Sequence, residues 1–126
     1  MKQKEKIIYL AGIIDGEGCV KPNYLIKNKN LVARCVVSNT SFELVSWLKN
    51  NFGGYIRIVK REGNRKIQYW WTLRNKEIKD LFPKIIPYLI IKKKEAIQSL
   101  SLIKICRKVT KYPYLDKFKR SQNKKE

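Results

Sequence analysis

The sequence predicts an α+β domain, in which helices cover one face of an antiparallel β-sheet. Three observations predict this class. Hydrophobic residues make up 44% of the 126 residues, which is enough for one packed core. The spacing of apolar residues changes between helical and strand periods, in the order helix, two strands, helix, two strands, helices. The strands of each pair are close in the chain, as in hairpins, whereas parallel strands need long crossovers.

The first helix is expected over residues 5–16, where apolar side chains occupy most of the circumference. A helix of this kind must be buried on more than one side, and Gly16 and Gly18 supply its C-terminal stop. Strands are expected over residues 19–27 and 31–38, and the second strand is rich in β-branched and small residues.

Capping and turn residues mark the next elements. Ser38-Asn39-Thr40-Ser41 is a helix-start signal, and Gly53-Gly54 ends that second helix. Strands over residues 55–61 and 66–73 flank Gly63-Asn64, which is typical of a hairpin turn.

The last elements are helical. They are a short helix capped by Asn75 and running towards Phe82, interruptions at Pro83 and Pro87, and an amphipathic helix over residues 93–106. We expect a single domain over residues 1–112 and a basic, partly disordered extension over residues 113–126.

The charge balance points to a polyanionic partner. Lys and Arg number 29 against 10 Asp and Glu, which gives a net charge of +19. Nucleic acid is the first candidate for such a partner and a membrane surface the second. Histidine is absent, which excludes Ser-His-Asp and Cys-His triads and zinc fingers that use His. The longest apolar run, residues 85–91, is broken by Pro87 and is far too short to span a membrane. Of the two candidates we expect nucleic acid, and no membrane partner.

The cysteines indicate a reducing environment. Cys19, Cys35 and Cys106 are far apart and form no Cys-x-x-Cys pair, so neither a metal knuckle nor a disulfide framework is expected. We expect them to be small buried thiols. The first residues show no secretory signal, and we expect an intracellular protein of a prokaryotic cytoplasm or an organelle.

The strands carry the excess positive charge. The two strand pairs and their turns contain ten basic residues, opposed only by Glu62. Because side chains alternate between the faces of a strand, one face packs on helices and the other mixes basic, amide, hydroxyl and aromatic groups. These groups can bond base edges and touch thymine methyls in a major groove. The predicted DNA-binding residues are Lys21, Asn23, Leu25, Lys27, Val32, Arg34, Val36, Ser38, Tyr55, Arg57, Val59, Arg61, Lys66, Gln68, Trp70, Thr72 and Arg74.

The first helix contains the segment Leu10-Ala11-Gly12-Ile13-Ile14-Asp15-Gly16-Glu17-Gly18. This segment resembles the nine-residue motif of the LAGLIDADG homing endonucleases, with Ile, Gly and Glu in place of one Leu, one Ala and the last Asp. The order of elements over residues 5–106 resembles the family's αββαββα core, and residues 87–94 resemble its segment with an active-site lysine. The resemblance implies a curved antiparallel sheet that forms a DNA-binding saddle.

The glycines of the motif predict a close helix pair. Gly12 and Gly16 are four residues apart on one helix face, which lets another backbone approach closely. Because the chain has one copy of the motif, the partner is expected to be the same helix of a second chain across a two-fold axis. The predicted interface residues are Leu10, Ala11, Gly12, Ile13, Asp15 and Gly16, although Asp15 is also expected to be structural at the helix end.

The resemblance also assigns catalytic roles. It makes Glu17 the catalytic, metal-binding acid, with the backbone carbonyl of Gly16 as a further ligand. Lys92 occupies the place of the family's lysine, and Asn39 follows the second strand, where the family often has a Gln that positions water. Two Glu17 carboxylates near one axis repel each other, and Mg²⁺ shared with phosphate oxygens would relieve this. Mn²⁺ or Ca²⁺ is expected to substitute for it in binding.

The sequence therefore predicts a homodimeric, Mg²⁺-dependent endonuclease. By resemblance it makes a staggered double-strand break in a long, nearly palindromic DNA site, with one half-site for each subunit, and is encoded in a mobile intron. Two alternatives remain open. One is a maturase on the same fold that binds intron RNA and assists splicing, and the other is a DNA-binding regulator with an inactive site.

Overall fold

The computed structural model describes residues 1–25, 31–60, 62–63 and 66–109. Lys27, Arg61 and the extension over residues 113–126 lie outside the described residues, as do the side chains of Asn23, Leu25, Val32 and Cys106. The elements are α1 (Gln3–Glu17), β1 (Gly18–Leu25), β2 (Leu31–Asn39), α2 (Phe42–Phe52), β3 (Tyr55–Val59), β4 (Gln68–Leu73), α3 (Asn75–Ile85), a 3-10 turn (Ile86–Tyr88) and α4 (Lys93–Val109).

These elements form one antiparallel sheet covered by helices. The four strands lie in the order β1-β2-β4-β3, so that both hairpins join through the central pair β2–β4. Ala33, Cys35 and Val37 of β2 are fully buried, and so are Trp71 and Leu73 of β4. Apolar residues of all four helices complete this core. The predicted α+β class and element order are confirmed.

The last turn of α1 depends on a glycine at its C-cap. A Cβ on Gly18 would lie 2.6 Å from the carbonyl oxygen of Ile14, which itself accepts the Gly18 N–H. A side chain at this position would therefore force the helix end away from β1. Because residue 18 is glycine, β1 can begin directly after the last residue of α1, with no intervening loop.

The third helix differs from its prediction at both ends. Its N-cap is Arg74, and the Asn75 side chain instead accepts the backbone N–H of Ala33 at 2.8 Å, where it completes the hydrogen bonding of β2. Pro83 does not end the helix, which continues to Ile85. A proline in the last turn removes only one backbone donor, so the helix tolerates it for two further residues.

None of the helices in the described part of the chain is long and apolar enough to cross a membrane.

Candidate active site and nucleic-acid interface

Glu17 and Asn39 meet where α1 and β2 end. Glu17 is exposed, and its Oε2 accepts a hydrogen bond from Nδ2 of Asn39 at 2.8 Å. The Asn39 carbonyl Oδ1 accepts the backbone N–H of Ser41 at 2.8 Å. Because this bond occupies the carbonyl end of the amide, the NH₂ end faces the carboxylate. The structure therefore brings together two of the three predicted catalytic residues.

The third residue, Lys92, lies just before α4 and is held through its backbone. Asp15 accepts the N–H groups of Ile90, Ile91 and Lys92 at 2.8, 3.0 and 3.0 Å. Partial burial alone would raise the pKa of Asp15, but the three backbone hydrogen bonds and the charge of Lys92 lower it below its ordinary value. Asp15 is thus a charged anchor between the end of α1 and the start of α4.

The thiols do not behave alike. Cys35 is fully buried, and burial raises its pKa to about 12, the charge of Lys92 opposing this only in part. Cys19 is exposed, so the expectation of a buried thiol is wrong there. The reason lies in the sheet register, since Cys19 pairs with Val36 on the face away from the helices.

One face of α1 has open space around its two glycines within the described chain. A Cβ on Gly12 or Gly16 would meet nothing within 4 Å. Beside these glycines, Ile8 is 43% exposed, and Tyr9 is 47% exposed although its ring packs against Trp47 of α2, with 5.2 Å between the ring centroids. The predicted interface residue Ile13 is partly buried. This surface, Ile8 to Gly16 on the exposed side of α1, is called the glycine face below.

Two of the predicted interface residues cannot contribute to that face. Leu10 and Ala11 are 0% exposed, because they point into the core of the subunit together with Ile7 and Ile14. The sequence does not reveal this, since apolar side chains surround most of the helix. Conversely, Ile90 and Ile91 beside Asp15 are 86% and 67% exposed, although neither is among the site residues predicted from the sequence. Their position after the 3-10 turn is set by the Asp15 hydrogen bonds.

The face of the sheet opposite the helices, called the open face below, bears most of the predicted DNA-binding side chains that the structure describes. The register aligns Ser38, Trp70 and Arg57 across β2, β4 and β3, and Lys21 with Arg34 across β1 and β2. Exposed members of the open face are Lys21, Ser38 and Arg57, and half-buried members are Arg34, Val36, Tyr55, Val59, Gln68 and Trp70. Lys66 and Arg74 are exposed just before and just after β4.

Trp70 is the centre of a small cluster on the open face. The Arg57 guanidinium carbon lies 5.9 Å from the Trp70 ring centroid, within the range of a cation–π contact. The Trp70 indole N–H donates to Oε1 of Gln68 at 3.4 Å. These contacts restrain the arginine and the amide before any partner binds, which lowers the entropy that binding would cost.

A second cluster joins Tyr55 and Arg74. The Arg74 guanidinium carbon lies 4.8 Å from the Tyr55 ring centroid, and Nη2 donates to the Tyr55 hydroxyl at 3.3 Å. Burial of Tyr55 raises the pKa of its hydroxyl, but the hydrogen bond and charge of Arg74 outweigh this and lower it. Thr72, which lies between Tyr55 and Val36 in the register, is 0% exposed. The prediction that Thr72 contacts DNA is therefore wrong, because its side chain has no exposed surface between Tyr55 of β3 and Val36 of β2.

An irregularity in β1 disrupts the predicted alternation. The register shifts between Lys21 and Tyr24, so that Tyr24 pairs with Val32 and Leu25 with Leu31. Strict alternation, which assigned Asn23 and Leu25 to the face of Lys21, therefore does not hold beyond Lys21. Pro22 is the one local signal of this irregularity, since proline cannot donate to a strand ladder and is typical of bulges.

The donor set fits a hard divalent cation shared with another molecule. Glu17 offers an exposed carboxylate, and Gly16 belongs to the last turn of α1, whose carbonyls lack helical partners. No group of three or more His, Cys, Asp or Glu residues capable of holding a metal occurs within the described ranges. A cation at Glu17 would therefore complete its coordination with water, with phosphate oxygens or with oxygens of a second subunit.

The comparisons agree with the motif. A family model described as LAGLIDADG endonuclease matches residues 10–106. The homing endonuclease I-CvuI, in complex with a DNA target in 2 mM Mg and with the DNA not cleaved, superposes with a TM-score of 0.65 and 19% identity over 86% of this chain and 71% of its own. An archaeal intron-encoded homing endonuclease, I-Vdi141I, complexed with DNA, gives 0.59 and 17% over 82% and 69%.

A longer structure is similar as well. The meganuclease I-SmaMI, bound to uncleavable DNA, gives a TM-score of 0.59 and 19% identity over 90% of this chain but only 42% of its own. At these identities the likeness concerns the fold alone. No curated protein sequence matches this chain.

Proposed function

Since the chain belongs to the LAGLIDADG endonuclease family, we propose that it is a sequence-specific homing endonuclease that acts as a homodimer. It makes a divalent-cation-dependent, staggered double-strand break in a long, nearly palindromic DNA site, and each subunit binds one half-site. The observation that carries this proposal is the Glu17 carboxylate, exposed and oriented by Asn39 at the end of a helix whose glycine face is open.

The position of Glu17 favours cation binding. The C-terminal end of a helix is electronegative, so an exposed carboxylate there attracts a cation more strongly than an isolated one. Glu17 and the Gly16 carbonyl would hold Mg²⁺, which would supply an activated water and charge stabilisation for phosphodiester hydrolysis. The family relative I-CvuI was crystallised with DNA in the presence of Mg and also of Ca.

The glycine face supports the dimer. A Cβ on Gly12 or Gly16 would make no contact inside the described subunit, and Gly12, in the helix interior, costs about 1 kcal/mol of helix stability relative to Ala. That cost is offset if a second α1 packs against them, because two backbones can then approach closely. In this arrangement the two Glu17 residues lie near the two-fold axis, one for each strand of the duplex.

The open face supports DNA as the ligand. Its described charges are basic, and the Arg57–Trp70–Gln68 and Tyr55–Arg74 clusters present hydrogen-bond donors in restrained positions. Such donors can bond guanine and adenine edges in the major groove. Intracellular action and an intron-encoded origin belong to the same proposal.

The test is a cleavage selection from a library of random duplex DNA with Mg²⁺, followed by binding and cleavage of the selected site. Wild type should cut both strands, whereas Glu17→Gln should bind with a similar Kd and lose cleavage by about 100-fold or more. Glu43→Gln, which changes an exposed carboxylate in the first turn of α2, is the matched control and should cut normally.

Other outcomes would replace the proposal. A wild-type protein that binds a defined DNA site and never cuts it would be a regulator. A protein that ignores DNA but accelerates splicing of an intron RNA would be a maturase.

A further inference from the structure

The carboxylate of Asp15 is fully engaged by backbone donors of a distant segment. Its Oδ2 accepts the N–H of Ile90 at 2.8 Å, and its Oδ1 accepts those of Ile91 and Lys92, each at 3.0 Å. These residues are 75 or more positions away in the chain. Three charge-assisted hydrogen bonds to one carboxylate define the place of that segment closely.

The segment is the entrance to α4. The Lys92 carbonyl accepts the N–H of Ala96 at 3.0 Å, so Lys92 is the residue from which the helix starts. The Asp15 carboxylate therefore sits where the helix N-terminus favours negative charge. The segment itself has little other reason to be held so firmly, because Ile90 and Ile91 are largely exposed.

Asp15 thus joins the C-terminal end of α1, which carries Glu17, to the start of α4, which carries Lys92. Glu17 and Lys92 are the two charged residues predicted to be catalytic. Asp15 lies two residues before Glu17 in the last turn of α1, and Lys92 is itself one of the three anchored residues. A shift of α4 relative to α1 would therefore move the Lys92 ammonium relative to the Glu17 carboxylate.

We propose that Asp15 is a positioning residue, which sets the place of Lys92 relative to Glu17 by binding the backbone of residues 90–92. This inference rests on the proposed nuclease function. It assigns Asp15 no contact with DNA or with a cation, and it takes Asp15 out of the dimer interface predicted from the sequence.

The experiment compares Asp15→Asn, Lys92→Met and the double variant on the selected DNA site, by single-turnover cleavage and by DNA binding. An amide offers one acceptor oxygen and turns two N–H donors towards other donors, so at least one hydrogen bond to residues 90–92 is lost. Cleavage by Asp15→Asn should fall on the order of 100-fold, as for displaced catalytic groups. Binding should change by less than about 3-fold, because the open face is untouched.

The double variant shows whether Asp15 affects cleavage by positioning Lys92 or only by stabilising the fold. If Asp15 acts through Lys92, the double variant should cleave no more slowly than the slower single variant. Independent, multiplicative losses would overturn the inference, and so would wild-type cleavage by Asp15→Asn or a parallel loss of DNA binding. Asp80→Asn, an exposed carboxylate of α3, is the control and should leave both quantities unchanged.

A measurement without cleavage separates this inference from the proposed function. Amide hydrogen exchange at residues 90–92 should accelerate in Asp15→Asn, while exchange in β2 and β4 stays slow. Unchanged exchange at residues 90–92 would overturn the inference even if wild type cut no DNA. If Asp15→Asn does not fold, Asp15→Glu takes its place, because it keeps the charge and displaces it by one methylene.

Discussion

At the scale of the residue, the orientation of Glu17 depends on a single amide. Asn39 donates to Glu17 Oε2, and its own carbonyl oxygen accepts the N–H of Ser41, the N-cap of α2. The start of α2 therefore orients the Asn39 amide, and the amide orients the Glu17 carboxylate. A carboxylate held in this way needs less reorganisation when charge develops near it.

Asn39→Ala should therefore slow cleavage about 10- to 100-fold, because the carboxylate loses its restraint while its charge is kept. The check is single-turnover cleavage of the selected site with a parallel measurement of Kd, which should be unchanged. Thr40→Ala, at the exposed neighbouring position, is the matched control. Cleavage by Asn39→Ala at the wild-type rate would show that the hydrogen bond is dispensable.

The two described thiols provide a second residue-scale prediction. Thiolate is the reactive form, so Cys35, with a pKa raised to about 12 by burial, should resist a thiol reagent at pH 8, whereas the exposed Cys19 should react. Because Cys19 lies on the open face, the selected DNA should protect it. Labelling is followed spectrophotometrically in a Cys106→Ser background, and equal labelling of Cys19 with and without DNA would place the DNA elsewhere.

Some residues of the site are predictable from the sequence and others are not. The motif resemblance predicts Glu17, Asn39 and Lys92, and the structure brings Glu17 and Asn39 into contact. The burial of Thr72 and the binding of residues 90–92 by Asp15 are not predictable from local patterns, because both depend on pairing between segments far apart in the chain.

At the scale of the element, α1 combines a buried side, the glycine face and a C-terminal end that leads directly into the sheet. Its glycines have different surroundings. A Cβ on Gly18 would lie 2.6 Å from the Ile14 oxygen, whereas one on Gly12 would meet nothing within 4 Å. We expect the second subunit to pack into the open space at Gly12.

Gly12→Leu should thus separate folding from assembly. The isolated subunit should be no less stable than wild type, since leucine is the better helix former by roughly 1 kcal/mol. Dimerisation should be blocked, because a leucine keeps the two helix backbones apart. Sedimentation and urea unfolding at low protein concentration check the two effects. Ser101→Leu, on the exposed side of α4, is the control, and an unchanged dimer of Gly12→Leu would refute this interface.

Element boundaries were largely predictable, because caps and turns are local. Ser41 is the N-cap of α2 and accepts the N–H of Leu44, as its residue type predicts, and Gly53 and Gly54 follow the helix with positive φ. The faces of α1 were not predictable in the same way. Apolar residues surround the helix, so periodicity could not tell that Leu10 and Ala11 are core while Ile8 and Tyr9 are exposed.

At the scale of the whole molecule, net charge and fold act together. The net charge of +19 per chain would become twice that in a dimer, and the strands bear much of it. Each phosphate that a basic side chain neutralises adds about −0.9 to the slope of log K against log salt.

Binding of the selected site should consequently be steeply salt-dependent. If a dimer neutralises about ten phosphates, the slope is about −9. Fluorescence anisotropy over a range of KCl concentrations measures it. A slope shallower than about −2 would mean that the basic surface does not face the DNA backbone.

The central claim is that two Glu17 residues, one from each subunit, are both needed to break a duplex. It is tested most directly with mixed dimers of wild type and Glu17→Gln, purified by two different tags and given supercoiled plasmid that bears the selected site. Wild-type dimers should linearise the plasmid, and mixed dimers should produce no linear DNA and at most nicked circles. Linearisation by the mixed dimer at the wild-type rate would contradict the claim.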